Sequence, residues 1–229
     1  MEMKDSCYKT IRSFVRREGR ITKAQQQALQ TLMPIYGLSP NDNILDFDEI
    51  FHRQAKTTIE IGFGNGETFV EMASQNPDIN FIGIEVHRPG VGACLQAIHQ
   101  LQLDNVRIIC QDATEVLKCN IADHSVDVIQ IFFPDPWPKK RHHKRRLIQK
   151  DFIDLVEKKL KSGGLLHLAT DWENYAEQML TFIEENDNFV NQAGKGNFSQ
   201  RPSWRPQTKF EKRGERLKHG VWDLIFRKD

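Results

Sequence analysis

Residues 57–67 read TTIEIGFGNGE. A β-branched run stops at Gly62, glycines recur at Gly64 and Gly66, and a helix-forming run, ETFVEMASQ, starts at Glu67. Strand, glycine turn and helix in this order form the opening unit of an open α/β sheet. The glycines let the backbone turn tightly and come close to a ligand, and the helix start offers free N–H groups. A glycine-rich turn with no ligand has the same letters, so the rest of the chain must decide between them.

Downstream, strand-like and helix-like segments alternate. NFIGIEV is a second strand, followed by a helix over roughly residues 90–102. VRIIC and VDVIQIFF read as the third and fourth strands. A helix through LIQKDFIDLVEKKLK stops at Gly163-Gly164, and GLLHLATD is the fifth strand. Another helix covers about 173–185, then come a weak strand near FVNQA and a terminal strand, VWDLIFR. This alternation specifies a mostly parallel sheet with helices on both faces. No convincing crossover helix separates the last two strands, so an antiparallel pair is expected at one edge. Residues 1–55 show no clear strand; they hold the basic segment IRSFVRREGRITKAQQQAL, with Thr22 as the cap of a helix over 23–33, and an acidic linker, NDNILDFDE. The expected division is a basic N-terminal extension, 1–55, and a sheet domain, 56–229.

A length of 229 residues, 39% of them hydrophobic and 28% charged, suits one sizeable α/β core. The four cysteines form no C-x-x-C pair, which argues against a disulfide framework or structural zinc. No stretch is apolar and long enough for a membrane span, and no apolar run follows the N-terminal charges as a secretory signal would require. A soluble cytoplasmic protein is expected.

The acids around the glycine loop narrow the ligand. A dinucleotide fingerprint needs Gly or Ala at position 67, where this chain has Glu67, and Glu60 adds another negative charge. A cationic ligand without phosphate, S-adenosylmethionine (AdoMet), fits better. Glu85 closes the second strand, placed to accept ribose hydroxyls. Asp112 follows the third strand, placed to accept from an adenine amino group beside the Ala113 amide. Each acid alone is more often a solvated strand-end residue than a ligand-binding one. Three of them, at three consecutive strands behind Gly62, Gly64 and Gly66, read as a cofactor site.

Residues 132–148, FFPDPWPKKRHHKRRLI, carry the other half of the argument. Asp135 follows the fourth strand and so joins Glu60, Glu85 and Asp112 at one sheet edge. Pro134, Pro136 and Pro138 restrict the backbone around it, and Trp137 offers a stacking surface. Lys139 to Arg146 holds six Lys/Arg and two His with no acid. Such a run is ordinarily a solvated face, but here it starts four residues after Asp135, where a tethered phosphate backbone would bring a base to the cofactor. Basic stretches at Lys9–Lys23 and Arg201–Lys218 add to it, and Trp204 and Phe210 are stacking candidates. His142 and His143 lack the spacing of a metal pair, and no metal is expected.

Seven stretches occur in one order: RSFVRREGRITKAQQQAL, EIGFGNGE, GIEVHRPGVG, DATEVL, FFPDPWPKKRHHKRR, HLATDWENYAEQML and RPQTKFEKRGERLKHGVWDL. Together they resemble the bacterial tRNA (guanine-N7)-methyltransferases over nearly the whole chain. Pro138 departs from them only where relatives vary. The resemblance implies a class I AdoMet-dependent methyltransferase fold, Rossmann-like, with a mostly parallel seven-stranded sheet and an antiparallel edge strand. It implies methylation of N7 of the variable-loop guanine of tRNA, with no obligate protein partner. Glu60, Glu85 and Asp112 would be cofactor residues, and Asp135 the active-site acid that also touches the cofactor. Lys139, Asp171, Thr208, Lys209, Phe210 and Glu211 would bind substrate. Arg141, His142, His143, Lys144, Arg145 and Arg146 would meet RNA. Two other readings stay open: an AdoMet-dependent amino-group methyltransferase, and a non-catalytic RNA-binding protein on the same fold.

Overall fold

Ile59 and Ile61 on β2 (Thr57–Ile61) and Ile82 and Ile84 on β3 (Asn80–Ile84) are buried at the centre of one sheet. The computed structural model describes residues 19–40, 43–208, 211 and 220–229. β2 pairs in parallel with β3 on one side and with β5 (Val126–Phe132) on the other. β4 (Val106–Ile109) continues the parallel sheet beyond β3, and β6 (Leu160–Thr170) continues it beyond β5. The far edge turns antiparallel: β8 (Trp222–Lys228) runs against β6, and β7 (Phe189–Asn191) against β8. Strand order therefore reverses between β2 and β5, the place where open α/β sheets form a crevice at their carboxyl ends.

Helices cover both faces. α6 (Ala113–Asn120), α7 (Lys150–Lys159) and α8 (Glu173–Glu184) pack Val116, Leu117, Ile153, Val156 and Met179 against Ile59, Ile61 and Ile129. On the other face, α4 (Glu67–Gln75) and α5 (Arg88–Gln100) bury Phe69, Val70, Val91 and Leu95. Each such side chain contributes about 1.5–3 kcal/mol on burial, which is why these β-branched and aliphatic runs settle the architecture.

The sheet has eight strands among the described residues, one more than the resemblance implies. The extra one is β1 (Gly37–Leu38), which pairs in parallel with β4 and lies in the region where no strand is expected. Two residues without β-branching leave no alternation to read; backbone pairing alone makes this strand. α1 (Lys23–Thr31) starts at Thr22 as expected, with a capping box closed by Gln25, and α2 (Met33–Tyr36) follows it. Ala28 of α1 joins the core, and Gly92 of α5 lies so close to α1 that a Cβ there would sit 2.7 Å from the Gln25 carbonyl. Packing thus runs without a break from α1 into the sheet domain. The linker itself folds as α3 (Phe47–Phe51), whose two phenylalanines are buried.

Gly163 and Gly164 do not stop a helix. α7 ends at Lys159, and β6 passes through both glycines opposite a register shift at Val126/Val128. Gly163 has φ +77°, so the pair bends an irregular strand start. Among the described residues no helix is long and apolar enough to cross a membrane.

Candidate active site

β2, β3, β4, β5 and β6 end at Ile61, Ile84, Ile109, Phe132 and Thr170, and the chain after each brings one predicted residue to the same edge. A cavity of about 370 Å³ opens there, lined by Gly62, Glu85, Asp112, Ala113 and Asp135, with Gly19 from the N-terminal side. Glu60, Gly64 and Gly66 stand behind that lining rather than in it, and Lys139 and Asp171 are exposed residues outside it.

The glycine turn is held from both sides. Gly62 donates to the Ile84 carbonyl (2.8 Å) and Gly64 to Glu85 Oε2 (2.9 Å). Gly62, Gly64 and Gly66 all have positive φ; the first two face open space, and a Cβ on Gly66 would collide with Cys94. Glu85 Oε1 also accepts from Val86 N (2.7 Å) and His87 N (2.9 Å), so backbone donors fix the acid's orientation. Asp112 caps α6 through Thr114 N (2.9 Å).

Glu60 is buried, and its Oε2 has no hydrogen-bond partner. Burial, then the neighbouring Glu85 charge, pushes its pKa up to about 8. An orphaned carboxyl group beside an open glycine cradle fits a cationic ligand, which would restore the charged form. The Cys94 thiol, raised by burial and then by Glu60 and Glu85, is an inert packing group.

The Asp135 loop is strained where it leaves β5. Phe133 (φ 53°) and Trp137 (φ 44°) bracket Pro134–Pro136 in the left-handed region, and Asp135 is exposed at the cavity wall. The basic run folds as a 3-10 turn, Lys140–Arg145. Arg141 and Lys144 are exposed; His142, His143 and Arg145 are half-buried. Arg145 lies 5.1 Å over the Trp137 ring, so one face of that stacking surface already has a partner. Burial first, then Arg141, Arg145, Lys139 and Lys144, holds the His142 pKa below its usual value.

Arg146 is not on this surface. It is 2% exposed; its guanidinium donates to the Pro136 carbonyl (2.9 Å), Gln178 Oε1 (2.6 Å) and Asn174 Oδ1 (3.0 Å), meets His143 Nε2 (3.1 Å), and lies over Tyr175. The expected RNA contact is replaced by an anchor tying the residue after Asp135 to α8, because these acceptors occupy the fork.

Thr208 and Glu211 are buried too, around Arg205, which sequence reading does not single out. Arg205 pairs with Glu211 (2.6 and 2.7 Å) and with Asp223 (2.8 Å twice), and Asp223 also binds His167 Nε2 (2.8 Å). Burial pulls the Arg205 guanidinium down, but the bonds to Glu211 and Asp223 outweigh it. One signal was available: an Asp inside the apolar strand VWDLIF calls for a buried cation. Lys209 and Phe210 lie outside the described residues. Among the described residues no three His, Cys, Asp or Glu side chains form a candidate metal site.

A family model described as "Putative methyltransferase" matches residues 54–224. The chain is 54% identical over 218 residues to the tRNA (guanine-N(7)-)-methyltransferase of Alcanivorax borkumensis, covering 95% of this chain and 91% of that one. It is 56% identical to the enzyme of the same name from Pseudomonas aeruginosa, covering 95% and 89%. This chain belongs to the tRNA (guanine-N(7)-)-methyltransferase family. Solved structures agree on the fold. A 16S rRNA methyltransferase, KamB, superposes with TM-score 0.56 at 11% identity, covering 81% of this chain and 94% of that one. The aminoglycoside resistance methyltransferase NpmB1 gives 0.54 at 14%, covering 80% and 91%. Membership in this family implies use of AdoMet, and the orphaned Glu60 carboxyl and the open glycine cradle have the chemistry that a cationic ligand needs.

Proposed function

We propose that this protein transfers the methyl group of AdoMet to N7 of a guanine in the variable loop of tRNA. The observation that carries this reading is that Asp135 lines the cavity that carboxylates and glycines shape at the strand ends, while the cationic run starting at Lys139 follows it in the chain by four residues. Glu60, Gly62, Gly64, Gly66, Glu85, Asp112 and Ala113 hold the cofactor. Lys139, Arg141, His142, Lys144 and Arg145 draw in phosphate, and the exposed Asp171, just after β6, meets the substrate. The reading places the protein with tRNA in the cytoplasm.

AdoMet, when bound, supplies a methyl group made electrophilic by its sulfonium. Guanine N7 carries a lone pair and no proton, so the reaction needs no general base. What the protein must supply is alignment of N7 with the methyl, an effect of proximity and orientation. Asp135 orients donors on the base or on the cofactor amine, and offsets the positive charge that the purine gains. Its Pro-bounded, strained loop keeps that carboxylate placed. N7 lies on the major-groove edge, which side chains do not reach in A-form RNA, so the target base must sit in a loop or leave its tertiary pairing.

Incubation with labelled AdoMet and unmodified tRNA, followed by nucleoside mapping, tests the proposal. N7-methylguanosine in the variable loop supports it. Label on small amines, or RNA binding without label, would replace it with one of the two other readings.

A further inference from the structure

Thr208-Lys209-Phe210-Glu211 invites a reading in which Glu211 touches the guanine. The geometry argues otherwise. Glu211 Oε2 accepts from Arg205 Nη1 (2.7 Å) and from Thr208 N (2.7 Å), and Oε1 accepts from Arg205 Nη2 (2.6 Å). Thr208 Oγ1 in turn accepts from Glu211 N (3.1 Å). This is the reciprocal pair of a capping box, T-x-x-E, with the glutamate used a second time as a clamp on a guanidinium. With 3% of its side chain exposed, Glu211 has no open edge to present.

Arg205 is equally committed. Asp223 takes Nε on Oδ1 and Nη2 on Oδ2, so four of the five guanidinium N–H groups end on two carboxylates. Its side chain is fully buried, with the guanidinium carbon 5.6 Å from the Phe132 ring centre and 5.9 Å from that of Phe133. Those aromatics are the last residue of β5 and the strained residue that opens the Asp135 loop. His167 on β6 closes the far side, edge-on to Phe132 (4.9 Å) and bonded to Asp223. The capping box, the guanidinium and the aromatic pair thus form one contiguous stack ending two residues before Asp135.

We infer that Arg205 is a positioning residue, clamped by Glu211 and Asp223, that sets Thr208 and Glu211 in register with the Asp135 loop, and that Glu211 acts on tRNA through Arg205 rather than by contact. The inference rests on the proposed methylation of tRNA. It separates from a simple structural role because it couples the substrate side to the reactive acid while leaving the Glu60–Glu85–Asp112 side alone.

A double-mutant cycle tests it, using Glu211→Gln, which keeps the shape, and Arg205→Lys, which keeps the charge but loses the fork. Single-turnover methylation of unmodified tRNA at saturating AdoMet is read beside AdoMet affinity, measured separately by calorimetry. Each single variant should be slower by roughly tenfold to a hundredfold, the cost of ångström-scale misplacement. The double variant should be no slower than about the worse single one, because both remove the same clamp. AdoMet affinity should stay at the wild-type value. Multiplying effects in the double variant would show that Glu211 meets the substrate itself and would overturn the inference. So would wild-type rates in the single variants, or loss of AdoMet binding in step with the rate. A wild-type protein that makes no N7-methylguanosine would sink the functional reading, and this inference with it.

Discussion

Two buried arginines flank the loop that carries Asp135, and their charges are met differently. Arg146 finds only neutral acceptors: a carbonyl, two amides, an imidazole and the Tyr175 ring. Arg205 lies between two carboxylates, with a histidine on one of them. Hydrogen bonds satisfy both forks, but only Arg205 has its charge cancelled. The Arg146 side therefore leaves positive charge beneath the basic turn, where a polyanion is expected. The Arg205 side is a closed joint. One loop is thus anchored by a cation that can still act at a distance and by another that acts only through contact.

The largest effect should come from the residue between them. Asp135→Ala is expected to slow single-turnover methylation by on the order of a hundredfold or more, the loss of one placed electrostatic group, with tRNA affinity little changed. Asp135→Asn should retain more activity than the alanine variant. Neither the wild type nor the asparagine variant should show a rate limb near pH 7, since N7 yields no proton. Rates for wild type and alanine variant that coincide would remove Asp135 from the site.

Arg146 comes next, and it separates anchoring from phosphate contact. Arg146→Leu leaves buried acceptors unpaired, at about 1–3 kcal/mol each, and should lower the thermal midpoint clearly. The salt dependence of tRNA binding should keep its slope. Arg141→Ala should do the reverse: unchanged thermal stability, with the log–log slope reduced by about 0.7–0.9 for a lost phosphate contact. A slope that falls equally in both variants would put the Arg146 guanidinium on RNA and erase the contrast drawn above.

The same contrast explains what was legible beforehand. The parallel core could be read from TTIEI, NFIGI and VDVIQIF because periodicity and β-branching are local signals. The strand-end acids followed, since a parallel sheet brings them to one edge. Burial of individual charges could not be read. In KRHHKRR nothing local distinguishes Arg146 from Arg145, and only the docking of α8, bringing Asn174 and Gln178, makes one an anchor. Glu211 looks free in TKFE because its partner, Arg205, lies six residues back and is fixed by an Asp on β8. β1 was missed for a related reason: two residues paired by backbone alone carry no side-chain pattern.

On the cofactor side, Glu60 offers a smaller effect with a defined pH sign. Its folded pKa of about 8 exceeds its ordinary 4.5, so the protonated form is favoured in the folded protein. Stability from this group is fully present below pH 4.5 and declines as pH rises through about 8. Glu60→Gln should flatten that decline in the ligand-free protein, seen as thermal midpoints that no longer fall across this window. The same change should weaken AdoMet by about 1–3 kcal/mol, the loss of a charged acceptor. Equal AdoMet affinity in wild type and variant would show that the orphaned carboxyl does not face the ligand.

The smallest expected effect returns to the uncancelled side. His142 sits among Lys139, Arg141, Lys144 and Arg145, and its pKa is depressed in the free protein by burial and then by those cations. A phosphate brought into the turn would offset the cations and raise that pKa. Binding then takes up a proton, and by linkage tRNA affinity should rise as pH falls toward 6. His143 should contribute less, since its Nε2 already lies against the Arg146 guanidinium (3.1 Å) and is not open to a phosphate. His167 should contribute nothing, because it faces Asp223 within the closed joint. Titrating tRNA affinity between pH 6 and 8 in wild type and His142→Gln checks this ranking, with the pH range bracketing the ordinary imidazole value of about 6.5. The variant should lose most of the pH dependence. A dependence that survives in His142→Gln but disappears in His143→Gln would move the titrating group onto the Arg146 anchor, and the division between contact surface and anchor would have to be redrawn.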